Sequence, residues 1–274
     1  MSLVFFFILS LLPPGVIRHG IDKNKSLELA KRPEYSSVCM FTQNGKIKGS
    51  CVMIHPRLAL TAAHCLKKLN DSDPLYIETD SIRFSVDSFL IHPNFELNKE
   101  CDLALLYLSP SDLKVHFPKL YSKKNEIGQI GTSVGYGNFS VANNPRDILD
   151  AGTLKSAGQN TLDSLAGNPI RKQRPLLLAD FDSPDGNHKN KTGSSKCLDM
   201  EFGLDGGDSG GGMFIQKGKH HLLAGINAFQ NKSIAEIIRT RSFYGSESEW
   251  VRISVFRKWI NRKLKEYIRV LNHR

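Results

Sequence analysis

Short β-rich segments that alternate with turn signals limit the folds open to this chain more than any other feature. The turns include Asn-Gly at residues 44–45, Asp-Ser-Asp-Pro at 71–74 and His-Pro-Asn at 92–94, which are typical of chain reversals. The predicted strands lie near Ser37–Thr42, Ile47–Ile54, Leu58–Thr61, Phe84–Ile91, Leu103–Leu108, Gly131–Gly135 and Leu222–Ala228. Because no long helices alternate with these segments, the pattern favours a β-barrel or a β-sandwich over a parallel α/β sheet.

The C-terminal residues predict one amphipathic helix. Phe256, Ile260, Leu264 and Ile268 are spaced four apart, and basic residues occupy the other side. We expect this helix to dock on its own domain with its basic face in solvent. Binding to a membrane or to nucleic acid is the alternative.

The stretch from residue 139 to residue 200 has a weaker pattern and is rich in Asn, Asp, Gly and Lys. It predicts long surface loops, of which residues 187–196 are the most exposed.

The composition excludes several classes of protein. Of 274 residues, 40% are hydrophobic and 23% are charged, which is ordinary for a globular protein and far from the disordered regime. Collagen, coiled coils and proteins with several membrane spans are excluded as well. The 37 Lys and Arg against 27 Asp and Glu give a formal net charge of +10. Spread over this length, that charge is only a weak signal for nucleic acid, so we expect no nucleic-acid partner.

The N-terminus carries the one sustained apolar run, Leu3–Leu12, followed by Pro13-Pro14-Gly15. Ten residues are too few to span a bilayer, which needs about 20, but they suit the apolar region of a secretory signal peptide. We therefore expect residues 1–15 to be a signal peptide and the protein to be secreted or periplasmic, without stable membrane anchoring. A buried first strand is the alternative, because no Lys or Arg precedes the run.

Three short segments carry chemistry, in the order His, Asp, Ser. They are T-A-A-H-C at residues 61–65, D-L-A-L-L at 102–106 and G-D-S-G-G-G at 207–212. A serine hydroxyl becomes a good nucleophile when a neighbouring base takes its proton, and His suits that task near neutral pH. A buried carboxylate holds the His in one tautomer, and glycines beside the Ser let backbone N–H groups converge on an oxyanion. All three requirements are present, which predicts one linked site.

Together these segments resemble the trypsin-like (chymotrypsin-fold) serine proteases. Further matching motifs are H-P-N-F at 92–95, G-Y-G at 135–137, G-I-N-A-F at 225–229 and W-V-R-I at 250–253. The resemblance implies an all-β fold of two packed six-stranded antiparallel β-barrels with a C-terminal α-helix. The peptidase domain would span residues 17–274, with one barrel at about 17–120 and the other at about 121–274.

The resemblance also implies a secreted serine endopeptidase that works through an acyl-enzyme. His64 would be the general base, Asp102 would orient it, and Ser209 would be the nucleophile. The N–H groups of Gly207 and Ser209 would form the oxyanion hole. This mechanism needs no cofactor and no metal. The expected partners are protein or peptide substrates, and we expect a monomer.

Activation in this family pairs a new N-terminal amine with the Asp before the nucleophile. Here these residues would be Ile17 and Asp208, and Val16 is an alternative start. The implied disulfide joins Cys51 to Cys65 and braces the histidine loop. Cys39 is expected to be a core strand residue, and Cys101 and Cys197 have no assignment. Because the chain has five cysteines, at least one thiol is free or bonded to another molecule.

The specificity pocket departs from the trypsin pattern. Gly203 stands at its base in place of an Asp, and its walls would be formed by four further residues. These are Ala228, Phe229, Gln230 and Ser248. An uncharged base favours small or medium apolar side chains before the scissile bond. Asp205 is the exception: it is expected to face solvent, but it could instead turn inward toward a cationic side chain.

Two other functions fit the same residues. The chain could be a catalytically silent homologue that acts as a binding module, although none of the three catalytic residue types is lost. It could also be an esterase with the same chemistry.

Overall fold

The computed structural model of the 274-residue chain describes residues 15–67, 69–70, 73–79, 82–109, 115–151, 154–186, 190–231 and 243–272. The apolar run at residues 3–12, which carries the signal-peptide prediction, lies outside these ranges, as do residues 187–189 of the predicted exposed loop.

The strands, in chain order, are β1 Gly15–Ile17, β2 Val38–Gln43, β3 Lys46–His55, β4 Leu58–Thr61, β5 Leu75–Glu78, β6 Arg83–Ile91, β7 Ala104–Leu108, β8 Ile130–Gly135, β9 Asn138–Val141, β10 Asn144–Ala151, β11 Ser156–Thr161, β12 Ser164–Ala166, β13 Leu176–Asp180, β14 Phe202–Gly203, β15 Gly212–Lys217, β16 His220–Asn231 and β17 Glu247–Arg252. The α-helices are α1 Lys23–Ala30, α2 Ala63–Leu66 and α3 Ile253–Asn272.

Strands β2 to β7 close into a six-stranded barrel in the order β2-β3-β4-β7-β6-β5, and every neighbouring pair is antiparallel. The first hairpin turns at Asn44 and Gly45, whose φ angles are 54° and 69°. A two-residue turn of this kind needs positive φ at both positions, which Asn and Gly tolerate best. The five strands predicted between residues 37 and 108 are confirmed. The short strand β5 was not predicted.

The second half contains a seven-stranded antiparallel sheet in the order β11-β8-β15-β16-β17-β13-β12. Its end strands, β11 and β12, are not paired with each other in the described residues, so this unit is a half-barrel where the prediction had a second six-stranded barrel. The predicted all-β fold with two packed β units and a C-terminal helix is confirmed.

Residues 139–200 were predicted as long loops, and this prediction is wrong for much of the stretch, which contains β9 to β13. A hydrophobicity pattern does not reveal these strands, because some of their buried residues are polar. Asn160, for example, is buried in β11 and its side chain donates to the backbone oxygens of Asp180 and Phe202.

The N-terminal segment packs on the second half rather than on the barrel with which the prediction grouped it. Strand β1 pairs with β14 on one side and with β9 on the other. Helix α1 packs on β11, where the Ser26 hydroxyl donates to the Ala157 carbonyl at 2.6 Å. The predicted division of the chain near residue 120 stays a prediction.

The predicted C-terminal helix is confirmed as α3, and it docks on the closed barrel. Phe256, Trp259 and Ile260 are buried, and the His92 ring contacts Phe256 and Trp259 with centroid separations of 5.2 and 4.7 Å. The basic residues Lys258, Arg262, Lys265 and Arg269 are exposed. Within the described residues, no helix is both long and apolar enough to cross a membrane.

Candidate active site

His64 and Asp102 form the first half of the candidate site. His64 lies in the one-turn helix α2 directly after β4, and Asp102 lies just before β7, the strand that pairs with β4. This pairing brings Nδ1 of His64 to 2.6 Å from Oδ2 of Asp102, and the His64 backbone N–H donates to Oδ1 at 2.7 Å. Because the Asp102 carboxylate is fully buried, its two contacts fix the orientation of the ring and favour the tautomer with the proton on Nδ1.

The surroundings of His64 act on the basicity of its ring in opposite directions. Burial alone would lower the pKa of the imidazole, but the hydrogen bonds to the Asp102 carboxylate and to the Cys65 thiol raise the pKa above its usual value. Nε2 of His64 lies 3.5 Å from Sγ of Cys65. The ring stacks on Phe229 with the centroids 5.8 Å apart. The Asp102 carboxylate on Nδ1 makes the neutral ring a stronger base at Nε2.

Ser209 lies in the turn between β14 and β15 and comes from the other half of the molecule. The turn is held by backbone hydrogen bonds: the Gly211 N–H donates to the Asp208 carbonyl within the turn, and the Gly210 N–H donates to the Asn227 carbonyl of β16. These bonds are 2.9 and 2.8 Å long.

The Ser209 hydroxyl points toward the Ala228 carbonyl, with 3.5 Å between the two oxygens. In the described residues it makes no hydrogen bond to His64. The two residues are nevertheless neighbours, because Sγ of Cys65 contacts both Nε2 of His64 and, at 3.9 Å, the Ser209 carbonyl oxygen.

Two backbone N–H groups beside the nucleophile are available to a ligand. Among the described residues, neither the Gly207 N–H nor the Ser209 N–H donates a hydrogen bond. Gly207 has a φ of 96°, a conformation that residues with a Cβ rarely adopt. These two unused donors flank Asp208, and an oxyanion hole at Ser209 would require free backbone donors of this kind.

Ser50 of β3 supports this turn from the barrel, and the sequence did not single it out. Its N–H donates to the Ser209 carbonyl at 2.8 Å, and its hydroxyl donates to the Gly207 carbonyl at 2.9 Å. The same hydroxyl accepts the Tyr136 N–H at 2.8 Å. The sequence contains one indication of this role: Ser50 is a polar residue directly before the apolar residues of the predicted strand. Ser50 therefore joins the nucleophile turn to both halves of the molecule.

The residues predicted to form the pocket walls lie on neighbouring strands. Ala228, Phe229 and Gln230 belong to β16, and Gln230 is the register partner of Ser248 on β17. The Gln230 amide donates to the Ser246 hydroxyl at 3.4 Å. The structure therefore brings the predicted wall residues together beside Ser209.

The predicted base, Gly203, lies on β14 against an aromatic side chain. A Cβ at Gly203 would be 3.4 Å from the ring of Phe181, and Phe181 in turn packs on Tyr244 with centroids 4.9 Å apart. Ser248 reaches this end of the pocket as well, since its hydroxyl accepts the Leu204 N–H at 3.0 Å. The predicted base therefore lies between the Phe181 ring and the Ser248 hydroxyl.

Asp205 was expected to face solvent, and this prediction is wrong. Asp205 is only 9% exposed, and its Oδ2 has no hydrogen-bond partner among the described residues. Burial raises the pKa of its carboxyl group well above the usual value, and the nearby Asp208 adds to the shift. The environment of Asp205 favours the neutral acid.

A family model described as Trypsin matches residues 30–259. The chain belongs to the trypsin family. It is therefore a serine endopeptidase, and proteins are its substrates.

Two relatives show how far the family likeness extends. Granzyme M of Rattus norvegicus is 25% identical to this chain over 226 residues, which cover 76% of this chain and 79% of granzyme M. Among solved structures, neuropsin, a serine protease expressed in the limbic system of mouse brain, has a TM-score of 0.58 at 15% identity. That match covers 85% of this chain and 96% of neuropsin, and it shows the fold.

The structure does not join the two residues predicted to pair on activation of this trypsin-family chain. In the uncut chain Ile17 lies within β1 opposite Phe202, and its nitrogen is part of a peptide bond. The Asp208 carboxylate instead accepts the N–H groups of Gly137 and Asp205 at 3.0 and 3.1 Å. Burial raises the pKa of Asp208 to about 7. The pairing of Ile17 with Asp208 stays a prediction about the cut chain.

The disulfide that the family resemblance implied, between Cys51 and Cys65, is not present in the structure, where all five cysteines are free thiols. The residue of β3 that faces Cys65 is Gly49, because a Cβ placed there would lie 3.1 Å from the Cys65 sulfur. Cys51 is two residues further along the strand, a displacement of about 6.6 Å. The assignment of Cys51 to this bond was therefore two residues out of register.

Proposed function

We propose that this trypsin-family chain is a secreted endopeptidase in which His64, Asp102 and Ser209 act as a catalytic triad. The observation that carries the proposal is the 2.6 Å contact between Nδ1 of His64 and the fully buried Asp102 carboxylate, next to the Ser209 turn. A buried carboxylate on that nitrogen leaves Nε2 free to take a proton from a serine.

The first chemical step needs one side-chain rotation. The Ser209 hydroxyl leaves the Ala228 carbonyl and turns to Nε2 of His64, which accepts its proton as Oγ attacks the substrate carbonyl. The contact between His64 and the Cys65 thiol is replaced by this hydrogen bond. Catalytic hydrogen bonds are often long before substrate binds. His64 then returns the proton to the leaving amine, and water releases the acyl group by the same route.

The oxyanion of each tetrahedral intermediate would be held by the N–H groups of Gly207 and Ser209. Both donors are unused among the described residues, and both are fixed through Ser50 on the barrel. Because they are positioned before substrate binds, they stabilise the developing charge without a cost of reorganisation. Neither a cofactor nor a metal is required for these steps.

The pocket would favour small or medium apolar side chains before the scissile bond. Gly203 carries no charge and lies against Phe181, Gln230 narrows the entrance, and Asp205 is held in surroundings that favour its neutral form. A substrate Lys or Arg would find no full negative charge there to offset the loss of its hydration.

We further propose that residues 1–15 direct export and that the protein acts as a monomer without stable membrane anchoring. The apolar run of ten residues is the basis for export. The packing of α3 on the barrel is the basis for the rest, since its apolar face is already covered.

Titration with a fluorophosphonate, which labels activated serines, tests the triad. We expect one label per chain, on Ser209, together with cleavage of denatured casein. No label would indicate a catalytically silent binding module. Label and ester hydrolysis without casein cleavage would indicate an esterase.

A further inference from the structure

Three of the five cysteines share one buried cluster inside the closed barrel. Cys39 and Cys51 are fully buried there and Cys65 is 8% exposed. The other two lie elsewhere: Cys101 belongs to the apolar cluster that contains residues of both halves, and Cys197 is part-buried in the second half. Of the five cysteines, these three are therefore the ones that lie close enough to be considered for a disulfide in the barrel core.

The register of the β2–β3 hairpin sets Cys39 directly opposite Cys51. From the turn at residues 44–45 the pairs run Gln43 to Lys46 and Thr42 to Ile47, and then a bulge adds one residue to β3. Without the bulge Cys39 would face Ser50. The bulge is the feature that simple counting along the sequence misses.

This placement meets the distance requirement for a disulfide. Opposite residues of antiparallel strands have Cα atoms about 4.5–5.5 Å apart, within the range of about 4.4–6.8 Å that disulfides span. The Cys51 thiol is hydrogen-bonded to the Cys39 thiol, and burial together with this contact raises the pKa of Cys51 well above its usual value. Cys65 has different neighbours, since its sulfur faces Gly49, His64 and the Ser209 carbonyl.

We propose that Cys39 and Cys51 form a cross-strand disulfide in the exported protein and that Cys65 remains a free thiol beside His64. The proposal rests on the proposed function only for its oxidising compartment. Each thiol gives up one proton and one electron, and a small-molecule disulfide such as oxidised glutathione accepts the two electrons.

In that exchange, one Cys thiolate attacks the glutathione disulfide and releases one reduced glutathione. The second thiolate attacks the mixed disulfide and releases the other. Because both sulfurs are inaccessible in the closed barrel, the exchange takes place while the barrel is still forming.

The bond would lie next to Ser50, which holds the nucleophile turn. Cys51 follows Ser50 in β3, and Ser50 contacts Ser209 and Gly207 through its N–H and hydroxyl groups. A covalent link between β2 and β3 at this level fixes the part of the strand on which the oxyanion donors depend. The Cys39–Cys51 bond would take the place of the disulfide at Cys65 that the family resemblance implied.

Peptide mapping tests the pairing without relying on activity. The protein is refolded in a glutathione redox buffer, its free thiols are blocked with N-ethylmaleimide in denaturant, and it is digested with trypsin without reduction. Cleavage at Lys and Arg places Cys39 in residues 32–46, Cys51 in residues 49–57 and Cys65 in residues 58–67. We expect the first two peptides to be linked and the third to carry the maleimide. A link between 49–57 and 58–67, or maleimide on both Cys39 and Cys51, would overturn the proposal.

Matched variants extend the test to stability. We expect reduction to lower the melting temperature of the wild type and of Cys65→Ala by about 5–10 °C, and to leave the Cys39→Ala/Cys51→Ala variant unchanged. An equal drop in that double variant would contradict the proposal. If the proposed protease function fails, the fluorophosphonate does not react, whereas the mapping result is unaffected.

Discussion

The two halves of the molecule hold their shares of the active site by different means. The closed barrel joins His64 to Asp102 directly, through a hydrogen bond between two side chains whose strands are neighbours. The second half holds the Ser209 turn through backbone groups, and it relies on Ser50 from the barrel as well. His64 is therefore oriented by a side chain of its own half, with the Phe229 ring of the second half stacked on it, whereas the position of Ser209 depends on hydrogen bonds from both halves.

The largest expected effect comes from removing a catalytic group from either half. Ser209→Ala and His64→Ala should each lower kcat by several orders of magnitude, and the double variant should be little worse, since the two act as a unit. Steady-state cleavage of a chromogenic peptide measures all three. Additive losses, or a Ser209→Ala protein with near wild-type activity, would break the idea that the halves form one site.

The docking of α3 on the barrel should depend on pH through His92. Burial lowers the pKa of His92 to about 4, and its Nδ1 accepts the Asn94 N–H at 3.3 Å, a bond that the protonated ring cannot accept. The unfolded chain, with a His pKa of about 6.5, binds this proton first as the pH falls. Stability should therefore drop by about 3 kcal/mol between pH 7 and pH 4.

Urea unfolding of wild type and His92→Phe at both pH values measures this loss. The variant should lose about 3 kcal/mol less than the wild type, whereas His220→Gln, a change at an exposed histidine, should behave like the wild type. Equal pH dependence in His92→Phe would rule out His92 as the cause.

Removing the Ser50 hydroxyl tests whether the nucleophile turn depends on the barrel. Ser50→Ala removes the hydrogen bond from the hydroxyl to the Gly207 carbonyl and the bond that the hydroxyl accepts from the Tyr136 N–H, which should cost about 1–3 kcal/mol of stability. We also expect kcat to fall about tenfold or more, because the oxyanion donors lose a support. Ser88→Ala, at an exposed position of β6, is the control and should change neither quantity. A fully active Ser50→Ala enzyme would show that the Ser50 hydroxyl is not needed to position Ser209.

The smallest expected effect concerns substrate choice, which the pocket proposed for the second half would determine. Peptides that differ only in the residue before the scissile bond should be cleaved faster with Ala or Leu than with Arg. A tenfold preference corresponds to about 1.4 kcal/mol. Asp205→Asn should leave the ratio unchanged, because the wild-type group is held in surroundings that favour its neutral form. A tenfold preference for Arg that disappears in Asp205→Asn would reject the apolar pocket.

The same contrast explains how much of the fold the sequence predicts. In the barrel the strands are apolar and bounded by strong turn signals, so all but β5 were predicted. In the second half, strand β11 buries Asn160 and Ser156. From the sequence alone, polar residues of this kind indicate a loop. Asn160 is held in β11 by hydrogen bonds to Asp180 and Phe202, which a pattern of hydrophobicity does not record.

The site shows a similar division. The residue types of the triad were readable because their chemistry demands them, and the structure places His64 and Asp102 in contact. The bond between Cys51 and Cys65 was expected from the family resemblance, whereas the structure places Gly49 beside the Cys65 sulfur. The burial of Asp205 and the part played by Ser50 depend on contacts between distant segments, for which the sequence carries no local signal.

Strand β1 has a consequence for when the enzyme can mature. Val16 and Ile17 are almost completely buried, and their backbone is paired on both sides. A peptide bond in such a strand cannot enter the cleft of a processing protease until the pairing is broken. A cut before Ile17 would therefore have to come while the sheet is still open, and any leader that outlasts that interval would stay attached. The timing of activation would then depend on how fast this sheet folds, and not on a later encounter with a processing protease.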